Sequence, residues 1–458
     1  MRPDTRSNPP RRFRTKPLVL SSGAVLLVLA LVGCGRALAP SAPASHGAGL
    51  GTSASSIEMI DAEAANGYKS GVVVWWGYDT GDEPEVEHDH ALQRVDALDG
   101  AIICALPPGS DPEIVAQQMR LDPRVRMAEP NYVVETAESR GHSWAFDDGH
   151  MDLSGYEDQT ASQRLGLDAA HTVSQGSGVT VAILDTGVDP DHPLFAGRLL
   201  PGHDFVDGDA DPRETPANLD TDGDGLVDES LGHGSHVAGI AVLVAPEAKI
   251  LPLRVLDTNG RGDAVTVARG IYYAVSQGAR VINLSLGMLV EDMLVKGAIA
   301  RATAGGAVVV ASAGNWGAEY PLEYPANFRG ITLAVAATNP ENLPASFTSY
   351  GGFVALTAPG ETIRSAYWNG HTAVWSGTSM SAPFVSGAAA LLLSLHPDWG
   401  RTQVLDRLAQ TARPFGPMVQ EASEHFGAGM LDLAAALAPD GPLGGASGDP
   451  VGARAGVR

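Results

Sequence analysis

Between residues 179 and 395 the chain repeats one pattern: a short apolar run, a turn, then a longer segment of helical periodicity. Strands are expected at 179–184, 249–256, 280–286, 307–311, 331–337 and 353–357. Helices are expected at 233–244, 264–277, 293–304 and from about 378 through 395. The strand-like runs do not alternate polar with apolar residues, so both faces must be covered, as in a parallel sheet. Repeated strand–helix–strand units then give an α/β fold with a doubly wound parallel sheet. Functional residues of such folds gather at the carboxyl ends of the strands. At 458 residues the chain exceeds one compact domain, so two folded units with tails are expected.

Three glycine-flanked blocks punctuate this pattern: Val181-Ala182-Ile183-Leu184-Asp185-Thr186-Gly187, then Gly232-His233-Gly234-Ser235-His236-Val237-Ala238-Gly239, then Ser376-Gly377-Thr378-Ser379-Met380-Ser381-Ala382-Pro383. They supply an Asp, a His and a Ser. A serine hydroxyl becomes a useful nucleophile when a neutral imidazole takes its proton and a carboxylate holds that imidazole in the right tautomer. Asp-Thr-Gly alone is a common turn, and it also marks pepsin-like aspartic proteases. A second copy stands at Asp79-Thr80-Gly81, followed by Asp82-Glu83-Pro84 in a segment of another kind. No Gly-x-Ser-x-Gly elbow of the ordinary α/β-hydrolases occurs.

The chain order Asp, His, Ser and the residues around each resemble the subtilisin-like serine proteases, the subtilases, from about Ser162 to Ala438. The resemblance implies that Ser379 is the nucleophile at the start of a helix. It makes His233 the general base and later acid, and Asp185 the residue that orients it. It makes Asn315, in Ala311-Ser312-Ala313-Gly314-Asn315, the donor of an oxyanion hole shared with the Ser379 backbone N–H. His236 is implied to be structural, the alternative being that it is the base. Ser285-Leu286-Gly287 resembles the edge that pairs with substrate backbone, and Gly314 and Trp316 border the pocket for the residue before the scissile bond. Trp316 either lines that pocket or packs on Tyr320 or Tyr324. Ser235 and Phe384 stand where the family usually has Thr and His.

Ahead of this region, residues 57–137 read as a small α+β unit, with strands at 71–75 and 101–106, a helix at 111–120 and a further strand near 125–134. Its closing string, Ala128-Glu129-Pro130-Asn131-Tyr132-Val133-Val134, resembles the end of the inhibitor-type propeptide that precedes subtilases. The resemblance implies a ferredoxin-like domain that acts as an intramolecular inhibitor and is cut away between about Glu135 and His150, leaving a catalytic domain over 138–438. A generic ferredoxin-like domain is the alternative.

The extreme N-terminus reads as an export signal: Arg11, Arg12, Arg14 and Lys16 precede an apolar run at 18–32 that is short for a membrane span. The run ends Leu31-Val32-Gly33-Cys34, which resembles a bacterial lipobox with a lipid anchor at Cys34. The other reading is a plain secretory signal cleaved near Ala37 or Ala39. Residues 35–56 read as a linker and 439–458 as a disordered tail. The two cysteines, Cys34 and Cys104, both fall before the catalytic region.

The net charge of −23 disfavours nucleic acid as a partner and leaves carboxylates for hard cations. Just before His233 stands Asp220-Thr221-Asp222-Gly223-Asp224-Gly225-Leu226-Val227-Asp228-Glu229. Carboxylates of Asp220, Asp222, Asp224, Asp228 and Glu229, with the Leu226 carbonyl, suit a structural Ca2+ ion, glycines permitting the turn. It is not a complete EF-hand, because position twelve is Leu231. Asp204, Asp207, Asp209 and Asp211 form a second acidic group. A solvated acidic loop is the alternative for both. The expectation is therefore an exported, monomeric serine endopeptidase acting on protein or peptide substrates. The competing reading is a pseudoprotease that keeps the fold as a binding module.

Overall fold

The computed structural model describes residues 68–76, 83–138, 145–147, 153–221, 223–416 and 424–439. The export signal, Cys34, the linker, the second Asp-Thr-Gly copy, Asp222 and the tail beyond 439 lie outside them.

The first unit runs β1 (Tyr68–Trp76), α1 (Glu83–Asp89), β2 (Gln93–Leu98), β3 (Ala101–Ala105), α2 (Pro112–Arg120) and β4 (Val125–Glu135). Its strands lie in the order β2-β3-β1-β4 with antiparallel neighbours, a split β-α-β arrangement. Asp111 caps α2 by accepting from the backbone N–H groups of Glu113 and Ile114. One sheet face packs Val72, Val74, Ile102 and Cys104 under Val86, Ala116 and Met119. Burial pushes the Cys104 thiol up to about 11, so it stays protonated and inert. The polar segment that holds α1 and β2 carries no periodicity, and neither element was expected from the sequence.

The larger part follows with β5 (Phe146–Asp147), α3 (Thr160–Leu165), α4 (Leu167–His171), β6 (Thr180–Asp185), β7 (His203–Asp204), α5 (His233–Val244), β8 (Lys249–Arg254), β9 (Arg261–Asp263), α6 (Ala264–Ser276), β10 (Val281–Leu284), α7 (Met293–Ala304) and β11 (Val308–Ser312). It continues with β12 (Leu333–Thr338), β13 (Val354–Pro359), β14 (Ile363–Ala366), β15 (Thr372–Trp375), α8 (Thr378–Leu395), α9 (Arg401–Thr411) and α10 (Leu433–Leu437). Seven strands form one parallel sheet in the order β13-β12-β11-β10-β6-β8-β7. Neighbouring residues of each strand serve opposite layers. Val181 and Ile183 join the cluster built with α5 and α8, while Ala182 and Leu184 join the one built with α6 and α7. That division explains why these strands read as unbroken apolar runs, and it bears out the doubly wound α/β expectation. Helix α8 is apolar enough to cross a membrane, yet 89% of it is buried in the core.

The other face of the first unit's sheet is covered too. Val73, Ile103 and Val134 share a cluster with Val265, Leu294 and Ile299. Around that contact Asp96 pairs with Arg269, and Asp99 reaches Arg301 at 2.5 Å and Tyr272 Oη at 2.8 Å. Glu129 accepts from the N–H groups that open α7, Met293 at 3.1 Å and Leu294 at 3.3 Å, where a carboxylate is favoured by the helix dipole. Burial, and then the charge of Asp292, pushes Glu129 upward.

Candidate active site

Asp185 ends β6, and its Oδ1 accepts from His233 Nδ1 at 2.7 Å and from the Thr186 N–H at 2.8 Å. His233 opens α5, and Ser379 is the second residue of α8; all three are buried. The blocks meet because glycines let their backbones touch. A Cβ on Gly234 would run into the Gly187 carbonyl, and one on Gly377 would collide with a carboxylate in the site. Trp375 stands edge-on to the His233 ring, 5.1 Å between centroids.

A network fixes the remaining donors. Asn315 Oδ1 accepts from the Thr378 N–H and hydroxyl, both at 2.9 Å, which aims its Nδ2 into the cleft. Ser386 Oγ donates to Asn283 Oδ1, Asn283 Nδ2 to Ser285 Oγ, and Ser285 Oγ to the Ser379 carbonyl, at 2.8, 2.9 and 2.9 Å. Leu286 is buried beside this chain of contacts. His236 is turned away, its Nε2 facing the carbonyls of Ile363 and Ala373 at 3.1 and 3.2 Å. Burial first, then the charge of His233, pushes it down to about 3, so it stays neutral in a structural place.

The carboxylate in the cleft belongs to Glu138, which sequence reasoning missed. Its Oε1 accepts from Asn315 Nδ2 at 3.0 Å. Its Oε2 accepts from Ser379 Oγ at 2.6 Å and lies 3.3 Å from His233 Nε2. Burial works against both charges, yet the hydrogen bond and charge of His233 leave Glu138 below the usual carboxylate range. Desolvation likewise opposes the imidazolium, but Asp185 and then Glu138 raise His233 to about 10. Behind the pair sits Glu214, also missed. It accepts from Thr186 Oγ1 and Ser235 Oγ at 2.5 Å each and from the Gly234 N–H at 3.1 Å. Burial raises it to about 7 despite those donors.

The segment before Glu138 lies in the cleft as an added strand. Val133, Val134 and Glu135 pair antiparallel with Asp263, Gly262 and Arg261. On the other side Glu135 and Gly287 exchange both backbone hydrogen bonds, at 3.0 and 2.8 Å, and the Thr136 N–H reaches the Gly260 carbonyl at 2.9 Å. This is strand addition of the kind expected at Ser285-Leu286-Gly287. Trp316 Nε1 donates to Glu323 at 2.6 Å.

The sequence profile of the subtilase family matches residues 176–429. The chain belongs to the subtilase family. This subtilase is 42% identical to thermitase of Thermoactinomyces vulgaris over 246 residues, covering 52% of its own length and 82% of thermitase. It is 38% identical to the thermophilic serine proteinase of Bacillus sp. (strain AK1), covering 62% of its own length and 66% of that relative. Among solved structures it resembles fervidolysin of Fervidobacterium pennivorans, with a TM-score of 0.67 at 26% identity, covering 82% of this chain and 62% of fervidolysin. This subtilase is a serine endopeptidase.

The acidic loop lies just ahead of His233 in the sequence. Asp228 holds the loop's return, accepting from the N–H groups of Ala217 and Asn218 at 3.0 and 2.9 Å and from Thr258 Oγ1 at 2.5 Å. Asp220 accepts from the Gly223 and Gly225 N–H groups, and Asp224 from the Leu226 N–H. Donors of this kind fit a hard cation. Among the described residues, however, no three or more His, Cys, Asp or Glu side chains converge on a metal point. In the second group Asp204 and Asp207 clamp the Arg254 guanidinium instead.

Proposed function

We propose that this subtilase is made as a zymogen whose residues 57–137 serve as its propeptide, and that Asp185, His233 and Ser379 hydrolyse peptide bonds through an acyl-enzyme. His233 takes the Ser379 proton and later gives it to the leaving amine, Asp185 holds the ring, and Asn315 with the Ser379 N–H stabilises the oxyanion. The single observation carrying this reading is the seat of Glu138. One carboxylate meets the nucleophile, the base and the oxyanion donor together, the three groups that a tetrahedral intermediate must meet.

The strand pairing supports a register for autoprocessing. Glu135 and Thr136 pair with the cleft edges and Glu138 meets Ser379, which favours Ala137–Glu138 as the scissile bond. While Glu138 keeps its carboxylate in the oxyanion seat, the Ala137 carbonyl cannot use it. An imidazolium at His233 also cannot accept a proton. Glu138 therefore holds the precursor latent until it swings out. The basic N-region and apolar run support export. Asp220, Asp222, Asp224 and Glu229 would hold a Ca2+ ion, and Asn259 ties that loop to the substrate edge by donating to Leu219 O and Thr221 Oγ1, both at 2.7 Å.

A fluorophosphonate separates the enzyme from a pseudoprotease. Processed protein is expected to label at one residue, Ser379, with loss of peptidase activity in proportion. Absence of labelling in a folded, processed preparation rules out the nucleophile.

A further inference from the structure

We propose that Arg261 gives the enzyme a preference for an acidic residue three places before the scissile bond. The inference rests on the peptidase reading above and on the register drawn from residues 133–138. Glu135 exchanges both backbone hydrogen bonds with Gly287 and lies directly opposite Arg261 where β4 pairs with β9. Residues that face each other across an antiparallel pair carry their side chains on the same face of the sheet, about 5 Å apart. A peptide laid in the cleft in this register therefore presents its third side chain before the cut to Arg261. In the precursor that side chain is a carboxylate, and Arg261 Nε stands 3.6 Å from Glu135 Oε1.

The guanidinium is built into the wall of the cleft. Its side chain is 4% exposed, its Nη1 donates to the Thr221 carbonyl at 2.9 Å, and the Arg261 backbone N–H donates to Asp257 Oδ1 at 2.9 Å. Nε is buried with no hydrogen-bond partner, so a donor remains for an arriving side chain. Asp257, the acid on the same turn, gives its carboxylate to the N–H groups of Asn259 and Arg261 and to Thr221 Oγ1. The ion pair of Arg261 among the described residues is the one to Glu135. A wall of this kind treats incoming side chains unequally. A carboxylate gains a charge-assisted contact with Nε, and an amide of the same size gains a weaker one. An ammonium sets like charge beside a guanidinium held in place. Glu135 keeps 25% of its side chain exposed, so water screens the pair and the preference comes in modest steps.

The test uses processed wild-type enzyme, Arg261→Gln and Arg261→Glu, each normalised by fluorophosphonate titration of active sites. The substrates are acetyl-Val-X-Thr-Ala p-nitroanilides, with X Glu, Gln or Lys. At low salt, wild type should favour Glu over Gln about fivefold and Glu over Lys about 20-fold in kcat/KM. Arg261→Gln should bring the Glu-to-Gln ratio to about one, and Arg261→Glu should reverse the order so that Lys leads. In about 1 M NaCl, where the screening length is about 3 Å, the wild-type Glu-to-Gln ratio should fall below about twofold. If Arg261→Gln fails to process, the wild-type series at the two salt levels decides alone. A wild-type Glu-to-Gln ratio of about one at low salt, a ratio unmoved by salt, or an Arg261→Gln enzyme that keeps the wild-type ratio overturns the proposal. Failure to label or to cleave any substrate would instead strike the peptidase reading, and a mature chain that does not begin at Glu138 would strike the register.

Discussion

The cleft and the acidic loop before His233 are both crowded with polar side chains, yet they are assembled in opposite ways. In the cleft each group hangs on a regular element: Asp185 at a strand end, His233 and Ser379 at helix starts, Asn315 just beyond β11. Each is buried, and each partner comes from a distant block. In the loop, Asp220 and Asp224 are exposed and turn back on backbone within five residues. The cleft's geometry is thus imposed by the packed sheet and helices. The loop's is imposed by glycines and by its ties to Thr258 and Asn259. Burial makes every polar contact in the cleft consequential, whereas contacts in the loop compete with water.

The largest effect should come from breaking the cleft at its centre. Ser379→Ala or His233→Ala is expected to cost on the order of a million-fold in kcat, the figure known for subtilisin itself. Asn315→Ala should cost about 3–4 kcal/mol of transition-state stabilisation, again the subtilisin value. Steady-state peptide hydrolysis measures both, and a silent Asn315→Ala would remove the oxyanion assignment.

Glu138 and Glu214 sharpen the contrast through pH. In uncut Ser379→Ala protein the His233 value is raised, so its contribution to holding residues 133–138 is full below about 6.5 and lost as pH climbs through about 10. Histidine NMR should show this late titration, and Glu138→Gln should move it down. Glu214 is raised as well, so its stabilising contribution is full below the free carboxylate value of about 4.3 and fades as pH rises through about 7. Thermal melts of Glu214→Gln against wild type should therefore show the variant gaining relative stability from pH 5 to pH 8. A constant difference would place that titration elsewhere.

The smallest effect belongs to the loop. Chelation should lower the melting temperature by an amount set by RT ln(1 + [L]/Kd), and Asp220→Ala should abolish that dependence. An unchanged melt in excess chelator, on protein shown to be free of bound metal, would leave the loop as a solvated acidic turn.

The same division governs what could be read from the sequence. The parallel sheet was legible because its strands are covered on both faces, and Asp185, His233 and Ser379 because glycines beside them mark close backbone approach. The β14–β15 hairpin, α9 and α10 were not seen, since their short or mixed runs carry no clear period. Two glutamates in the cleft also escaped. Glu138 meets Ser379 across 241 positions, and Glu214 stands in an insertion ahead of the residues it joins. The string that ends in Tyr132-Val133-Val134 did point to the neighbourhood of Glu138. Asp228 caps the loop's return, and alternate carboxylates look alike in sequence whether they bind a cation or cap a turn.

The account's central claim is that residues 133–138 occupy the cleft as the enzyme's first substrate. Intact mass and N-terminal sequence of the wild-type and Ser379→Ala proteins, purified in parallel, test it most directly. The account predicts a wild-type catalytic chain that begins at Glu138 and a Ser379→Ala protein that stays joined across Ala137–Glu138. A first residue other than Glu138 in freshly processed wild type, or equal cutting of the purified Ser379→Ala protein, would contradict it.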